Sequence, residues 1–451
     1  MDKKIKTAFV CTQCGAIHPR WQGQCKECGE WNTLTEERLV TGKRNKAKKA
    51  AGNSVRLPEI SLDRFEGYVS GNGEFDRVLG GSLLPGSTIL LAGEPGIGKS
   101  TLILQMAELY SRCGLQVLYV TGEESPAQLK KRSQRLNVQG DNVSVANIVD
   151  LEEISSLIEA GENQVVIIDS IQTVSCSYFD SPPGTIGQIR EAAGRLIEVC
   201  KKRDIALFLI GHVTKEGLVA GPKVLEHMVD CVLQFEGDSQ RLFRLLRSSK
   251  NRFGATFELG VFEMTREGLR GVENPSTLFL SDSTSVNRSG AVVAASCEGN
   301  RPILVEIQAL VSPASYGTPQ RVAGGIDNKR LALLLAILEK RAGIPMGGND
   351  VFVSVAGGLR LNEPAIDLAI MAAIVSSLRD IPVNHKTVLA GEVGLSGEVR
   401  AIGMADRRVS ESSKLGFERI IFPLANKKGI ESKGIELSGV SSLEEALDIL
   451  F

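Results

Sequence analysis

Thr88-Ile89-Leu90-Leu91-Ala92 runs without a break into Gly93-Glu94-Pro95-Gly96-Ile97-Gly98-Lys99-Ser100-Thr101. The first five residues read as a buried strand. The residues after the turn place Leu102, Ile103, Met106, Leu109 and Tyr110 on one helical face, and Gly114 can stop that helix. A glycine-rich turn closed by Gly-Lys-Ser between a strand and a helix is the pattern of a loop that wraps phosphate. Its glycines let backbone N–H groups approach the anion, Lys99 neutralises β/γ charge, Ser100 can ligate Mg²⁺, and the helix N-terminus adds its dipole. The candidate ATP-binding residues are therefore Gly93, Glu94, Pro95, Gly96, Ile97, Gly98, Lys99, Ser100 and Thr101. A glycine turn that binds no nucleotide is the plain alternative, and the context on both sides speaks against it.

Outward from this loop, β-type runs at Val117–Val120, Val165–Ile168, Ile205–Ile210 and Cys231–Phe235 alternate with helical patterns from about residue 57 to about 270. Such alternation predicts an α/β core with a mainly parallel sheet and helices on both faces, whose polar chemistry gathers at the strand ends. Asp169 ends one strand and can hold Mg²⁺ through water. Glu123 and Glu124 follow another, and either carboxylate can prime an attacking water, with Glu123 the first choice. His212 ends a third, as a sensor of γ-phosphate or as a structural histidine.

Toward the N-terminus, Cys11-x2-Cys14 is followed after ten residues by Cys25-x2-Cys28. Two such knuckles complete a tetrahedron for structural Zn²⁺, and a segment this poor in apolar mass needs the metal to fold. His18 is a spare potential ligand. Trp21 and Trp31 are the only tryptophans in the chain; they either pack the ribbon or stack on bases. Residues 36–56 follow as a basic linker, with seven Lys or Arg and no acid from Arg38 to Arg56.

The 451 residues suggest about three domains. Apolar residues at 43% and charged residues at 23% exclude a mostly disordered chain. With 52 basic and 53 acidic residues, bulk charge announces no nucleic acid, so any basic surface must be local. No apolar run approaches the roughly 18 residues of a membrane span and no signal peptide is read, which leads to the expectation of a cytoplasmic protein without membrane contact. Nine cysteines, four of them clustered, suit a reducing compartment with one metal site. Beyond about residue 275 the order changes: β-runs at Ala291–Ala295 and Ile303–Val311 precede a helix at about 327–341, and the pattern continues to Arg419–Phe422. The expected domains are 1–35, a zinc ribbon; 36–56, the linker; 57–272, the ATPase core; and 273–451, a separate α/β domain.

Four segments together carry a resemblance: CTQCGAIHPRWQGQCKECGEWNTL (11–34), GEPGIGKST (93–101), TGEES (121–125) and KNRFG (250–254). Over essentially its whole length the chain resembles the bacterial RadA (Sms) family of DNA-repair proteins. The resemblance implies a RecA/DnaB-type core working as a hexamer with ATP between subunits. It implies that Lys250 and Arg252 reach the neighbour's γ-phosphate; two cations two residues apart on a strand share a face and suit that task. The family's DNA loops map to Gln172–Gln188, with Tyr178, and Val213–His227, with Lys215 and Lys223. Lys215, Lys223, Lys250 and Arg252 are thus candidate DNA contacts. The C-terminal domain resembles the proteolytic domain of Lon through Val351–Pro364, Leu389–Val399 and Ile402-Gly403. Ala365 stands at the nucleophilic serine and Asp406 at the lysine, so the domain is expected to be a scaffold without a catalytic dyad, with Arg321, Lys329, Arg330 and Arg360 as a DNA-facing rim.

The implied activity is DNA-dependent ATP hydrolysis in homologous recombination and in the response to DNA damage. Branched intermediates would be processed, and RecA-mediated branch migration promoted, by helicase-like translocation on single-stranded DNA, with RecA recombinase and branched DNA as partners. Two alternatives stay open: an ATP-driven switch without motor activity, like the clock-protein relatives of this core, and a Lon-type protease, disfavoured by the missing dyad.

Overall fold

The structure is a computed structural model that describes residues 5–11, 16–40, 56, 58, 66–177, 179, 181–212, 222–237, 243–256, 258–280, 288–314, 318–432 and 434–451. The chain passes from one compact unit to a second at Val272–Glu273. Among the described residues no helix is long and apolar enough to cross a membrane.

The first unit begins with an antiparallel ribbon of β1 (Ile5–Cys11), β2 (Ile17–His18) and β3 (Leu34–Val40), in the order β2-β1-β3. Its buried apolar cluster is Cys11, Ala16, Cys25 and Leu34, with Phe9 against it. So small a core cannot offset the entropy of ordering the ribbon, which is why the cysteines matter. β3 pairs with β1 as far as Val40, so residues 36–40 extend the ribbon instead of opening the linker. The rest of the expected linker, apart from Arg56, lies outside the described residues.

The core follows: α1 (Gly73–Leu79), β4 (Thr88–Gly93), α2 (Lys99–Arg112), β5 (Val117–Thr121), α3 (Pro126–Arg135), β6 (Val143–Ala146), α4 (Leu151–Ala160), β7 (Val165–Asp169), α5 (Ile186–Lys202), β8 (Ala206–His212), α6 (Pro222–Met228), β9 (Cys231–Gly237), β10 (Phe243–Asn251), β11 (Leu259–Thr265) and β12 (Gly268–Gly271). They form one sheet in the order β12-β11-β10-β9-β4-β8-β7-β5-β6. β9, β4, β8, β7, β5 and β6 run parallel, and β10, β11 and β12 return antiparallel. β4, β5 and β7 are buried on both faces, which is why they read as unbroken apolar runs. Side chains alternate between two cores: Ile89, Leu91, Tyr119, Ile167 and Phe208 pack with Phe75 and Tyr110 on one face, and Leu90, Val120, Ile168 and Leu209 pack with Ile154 and Leu196 on the other.

The second unit contains α7 (Ser276–Phe279), β13 (Ala291–Glu298), β14 (Arg301–Pro313), β15 (Arg321–Gly324), α8 (Asn328–Arg341), β16 (Asn349–Val355), α9 (Asp367–Arg379), β17 (Thr387–Leu389), β18 (Glu392–Val393), β19 (Val399–Arg400), α10 (Ala405–Lys414), β20 (Arg419–Pro423), β21 (Glu436–Val440) and α11 (Leu443–Leu450). Its main sheet is mixed, in the order β15-β16-β14-β13-β17-β20-β21. The two long β-runs of the sequence pair as an antiparallel hairpin, β13 with β14. α9 is buried from Asp367 to Ser376, and its one buried acid, Asp367, accepts from Arg330 Nε at 2.8 Å and from Val393 N at 3.2 Å.

Arg408 of α10 is buried. It donates to Ala295 O and pairs with Glu363, whose carboxylate also accepts from Cys297 N at 2.6 Å and Ser296 Oγ at 3.1 Å. Removing one partner of a buried pair strands the other charge. Arg408→Ala is expected to destabilise the second unit by about 3–5 kcal/mol, read as a lowered urea midpoint for that unit's unfolding.

Candidate active site

The loop after β4 needs its glycines. Gly98 has φ +115°, and a Cβ at Gly93 would sit 2.5 Å from Phe235 O. α2 starts at Lys99, and no side chain among the described residues caps its first turn, so its leading N–H groups are available to an anion. Lys99 is buried; its Nζ donates to Gly93 O at 2.8 Å and Glu94 O at 2.9 Å and faces His212 Nδ1 at 3.1 Å. Burial lowers its pKa to about 8, with the carboxylates of Asp169 and Glu123 opposing that fall.

Strand register brings the partners to the same edge. Gly93 pairs with His212, and Thr121 with Asp169. Asp169 Oδ2 accepts from the Tyr119 phenol at 2.6 Å, and the Ser100 hydroxyl also bonds to this carboxylate. Burial nevertheless raises its pKa, since two hydrogen bonds do not replace hydration. Its Oδ1 is buried with no hydrogen-bond partner among the described residues. An orphaned carboxylate oxygen beside a serine hydroxyl is a donor set that fits a divalent cation such as Mg²⁺. The Asp169–Ser170 peptide is cis.

Glu123 accepts from Ser170 Oγ at 2.6 Å and from His212 Nε2 at 2.9 Å. The His212 bond is the main reason its pKa falls to about 2, with Ser170 and Lys99 adding to it against burial. His212 thus bridges Lys99 and Glu123. An ammonium donates to Nδ1, so Nε2 carries the imidazole proton and donates it to the carboxylate. Glu124 is turned away into an ion pair with Arg132, and the Thr121 hydroxyl accepts from both glutamate N–H groups, shaping the turn that separates them. Tyr119, Ser170 and Arg132 were not singled out from sequence. A phenol inside an otherwise aliphatic strand, two residues before Thr121, was the one available signal.

The structure gathers Lys99, Ser100, Glu123, Asp169 and His212 and leaves Lys250 and Arg252 elsewhere. β10 runs back against β9, so Asn251 pairs with Cys231, and Cys231 pairs with Ile89 near the start of β4. Gly93 lies four residues further along β4, roughly 13 Å away at about 3.3 Å per residue. The register shifts between Ser248 and Lys250, and β10 ends at Asn251, one residue before Arg252. A common anchorage holds the two cations: Lys250 Nζ donates to Glu226 O at 2.6 Å and Val229 O at 2.8 Å, and Arg252 Nη1 to Asp230 Oδ1 at 3.2 Å. Lys215, Tyr178 and the side chain of Lys223 lie outside the described residues.

In the ribbon, the Sγ atoms of Cys11, Cys25 and Cys28 lie within 4.8 Å of one another, and Cys11 and Cys28 are 3.7 Å apart. Thiolates at about 2.3 Å from tetrahedral Zn²⁺ are about 3.8 Å apart, so these residues fit that ion. Cys14 lies outside the described residues. His18 is buried, with Nε2 3.4 Å from Cys25 Sγ, while Gln22 Nε2 donates to its Nδ1 at 2.9 Å. Its remaining N–H then points at the sulfur, which makes His18 a donor to a thiolate and not a spare ligand. Trp21 and Trp31 are 58% and 67% exposed, so neither packs the ribbon's core.

Comparison with known proteins matches this layout. Family models match at residues 9–36 (rubredoxin metal binding domain), 74–218 (AAA domain) and 346–449 (Lon protease C-terminal proteolytic domain). DNA repair protein RadA of Bacillus subtilis is 48% identical, with 98% of each chain covered, and that of Escherichia coli K12 is 46% identical over 100% of this chain and 99% of the relative. RadA of Aquifex aeolicus is 44% identical over 99% of this chain and 100% of its own. The chain belongs to the RadA family of DNA-repair ATPases. Among solved structures, a KaiC-like protein of Pyrococcus horikoshii aligns with TM-score 0.39 and 19% identity, covering 46% of this chain and 99% of that one.

In this RadA-family chain the Lon-like positions carry no nucleophile. Ala365 is buried in a short 3-10 turn, and Asp406 is exposed in the first turn of α10. Of the expected basic rim, Arg321, Lys329 and Arg360 are exposed, whereas Arg330 is committed to Asp367.

Two outcomes follow from these sites. Affinity for ATP should fall as pH rises through about 8, by up to about tenfold per unit, because Lys99 loses its proton; a Lys99→Arg chain should titrate flat by fluorescent-nucleotide anisotropy. Stripping metal with a strong chelator should unfold the ribbon alone, seen as lost amide protection over residues 5–40 with the core's protection unchanged.

Proposed function

We propose that the chain is a DNA-dependent ATPase of homologous recombination and repair whose pocket is completed by a neighbouring copy, in a homohexamer. The observation that carries this reading is strand polarity. Lys250 and Arg252 stand at the end of the sheet away from their own Gly93–Lys99 loop, so they serve a pocket other than their own. Lys99 and the α2 N-terminus bind the triphosphate. Ser100 and Asp169 would hold Mg²⁺, which would supply charge neutralisation for the triphosphate. Glu123, kept ionised by His212 and Ser170, accepts the proton of the attacking water and orients it. Lys250 and Arg252 of the adjacent copy meet the charge that develops on the γ-phosphoryl group.

His212 joins Lys99 to Glu123, so a change at the γ-phosphate alters the hydrogen bond at the end of β8, just before the segment expected to contact DNA. Lys215 and Lys223 in that segment are the proposed phosphate contacts, and their grip would weaken with salt. Cycles of grip and release would give helicase-like translocation on single-stranded DNA. That motion supports processing of branched intermediates and RecA-mediated branch migration after DNA damage. The Lon-like unit acts as scaffold.

ATPase rate with and without single-stranded DNA tests the reading. Wild type should be stimulated, Lys99→Ala inactive, and Glu123→Gln slowed about 100-fold in kcat with little change in KM. A fully active monomer indifferent to polynucleotide would overturn it.

A further inference from the structure

Arg252 is held by a residue outside every motif of the chain. Asp230 lies between α6 and β9 and is 2% exposed. Its carboxylate accepts from Thr88 N at 3.1 Å, Lys201 Nζ at 3.1 Å and Arg252 Nη1 at 3.2 Å. Its backbone is tied to two of these three residues: Asp230 N donates to Thr88 O at 2.9 Å, and Arg252 N to Asp230 O at 3.2 Å. The Arg252 side chain remains 57% exposed. A guanidinium has five N–H donors in a rigid fork, so one edge can rest on Asp230 while the rest stays open to a phosphoryl oxygen.

We infer that Asp230 is the positioning residue for the arginine a subunit offers to its neighbour, an inference that rests on the in-trans reading above. An unanchored arginine spreads over many rotamers, and catalysis loses that preorganisation. The anchor is rigid on both sides. Thr88 opens β4, the strand that ends in the subunit's own phosphate loop, and Lys201 sits in the last turn of α5. Lys250 is seated next door, on the carbonyls of Glu226 and Val229 where α6 ends. The pair of trans-acting cations is therefore docked on one short stretch, Glu226–Asp230, which closes the segment expected to contact DNA. Movement at that end of α6 shifts both cations together.

Mixed assemblies isolate this role. Lys99→Ala subunits have a dead pocket and an intact arginine; Arg252→Ala subunits have the reverse. Mixing the two inactive proteins should restore DNA-stimulated ATPase at seams where an Arg252→Ala pocket meets a Lys99→Ala neighbour. Placing Asp230→Asn in the Lys99→Ala subunit should then cut the restored kcat about tenfold at unchanged KM, although that subunit hydrolyses nothing itself. The amide still accepts from Thr88 N, and thermal melting checks the fold; Asp230→Ser serves as a second neutral variant. Equal restoration with and without Asp230→Asn would overturn the role of Asp230 while leaving the in-trans reading intact. No restoration from the two parent variants would overturn the in-trans reading and this inference with it. Failure of both Asp230 variants to fold would reassign the residue to a structural role.

Discussion

The direction of one strand organises the core. β4 lies between β8 and β9 and runs parallel to both, so the loop after it, Asp169 after β7's apolar run and His212 at the end of β8 open onto the same edge. The next strand, β10, is antiparallel and carries Lys250 to the far edge. A sheet built this way keeps the phosphate loop apart from Lys250 and Arg252 of the same chain. No side-chain rotation closes a gap set by several residues of strand, and in the function proposed above that gap is what a second copy of the chain would fill.

At the near edge, charges are arranged as a relay. Lys99 donates hydrogen bonds to two carbonyls and to His212, His212 donates one to Glu123, and Ser170 donates another to the same carboxylate. Each bond lies in a partly dehydrated place, where it is stronger than in water and where a missing partner is costly. The arrangement leaves two atoms with spare capacity: Glu123 as an ionised acceptor and Asp169 Oδ1 as a bare one. Those are the two atoms that a water and a cation need. Arg132 contributes indirectly, by drawing Glu124 out of the way.

What the sequence disclosed and what it hid divide by distance along the chain. The loop at 93–101, the paired CxxC knuckles and the acid ending an apolar run are local patterns, and the chemistry they imply can be read without a fold. Alternation of strands and helices gave the parallel sheet for the same reason. Tyr119 with Asp169, Ser170 with Glu123, and Asp230 with Thr88 are contacts between residues about fifty or more positions apart, made by register, and no spacing rule announces them. Lys250 and Arg252 were legible as two cations two residues apart, but the helix end at Glu226–Asp230 that anchors both was not. Likewise His18 was visible as a histidine near cysteines, while its orientation depends on Gln22.

The Glu363–Arg408 pair has a bearing on what substitutions in this domain can achieve. It spans the turn that holds Ala365 and the helix that holds Asp406, two residues from each. Successive helical residues are about 100° apart, so with Arg408 facing inward the side chain at 406 faces roughly the opposite way. A lysine introduced at 406 would project into solvent, and a serine at 365 would lack its base. Giving this domain a Ser–Lys dyad would require turning a helix that the Arg408–Glu363 ion pair pins in place, so substitutions at 365 and 406 alone do not supply peptidase chemistry.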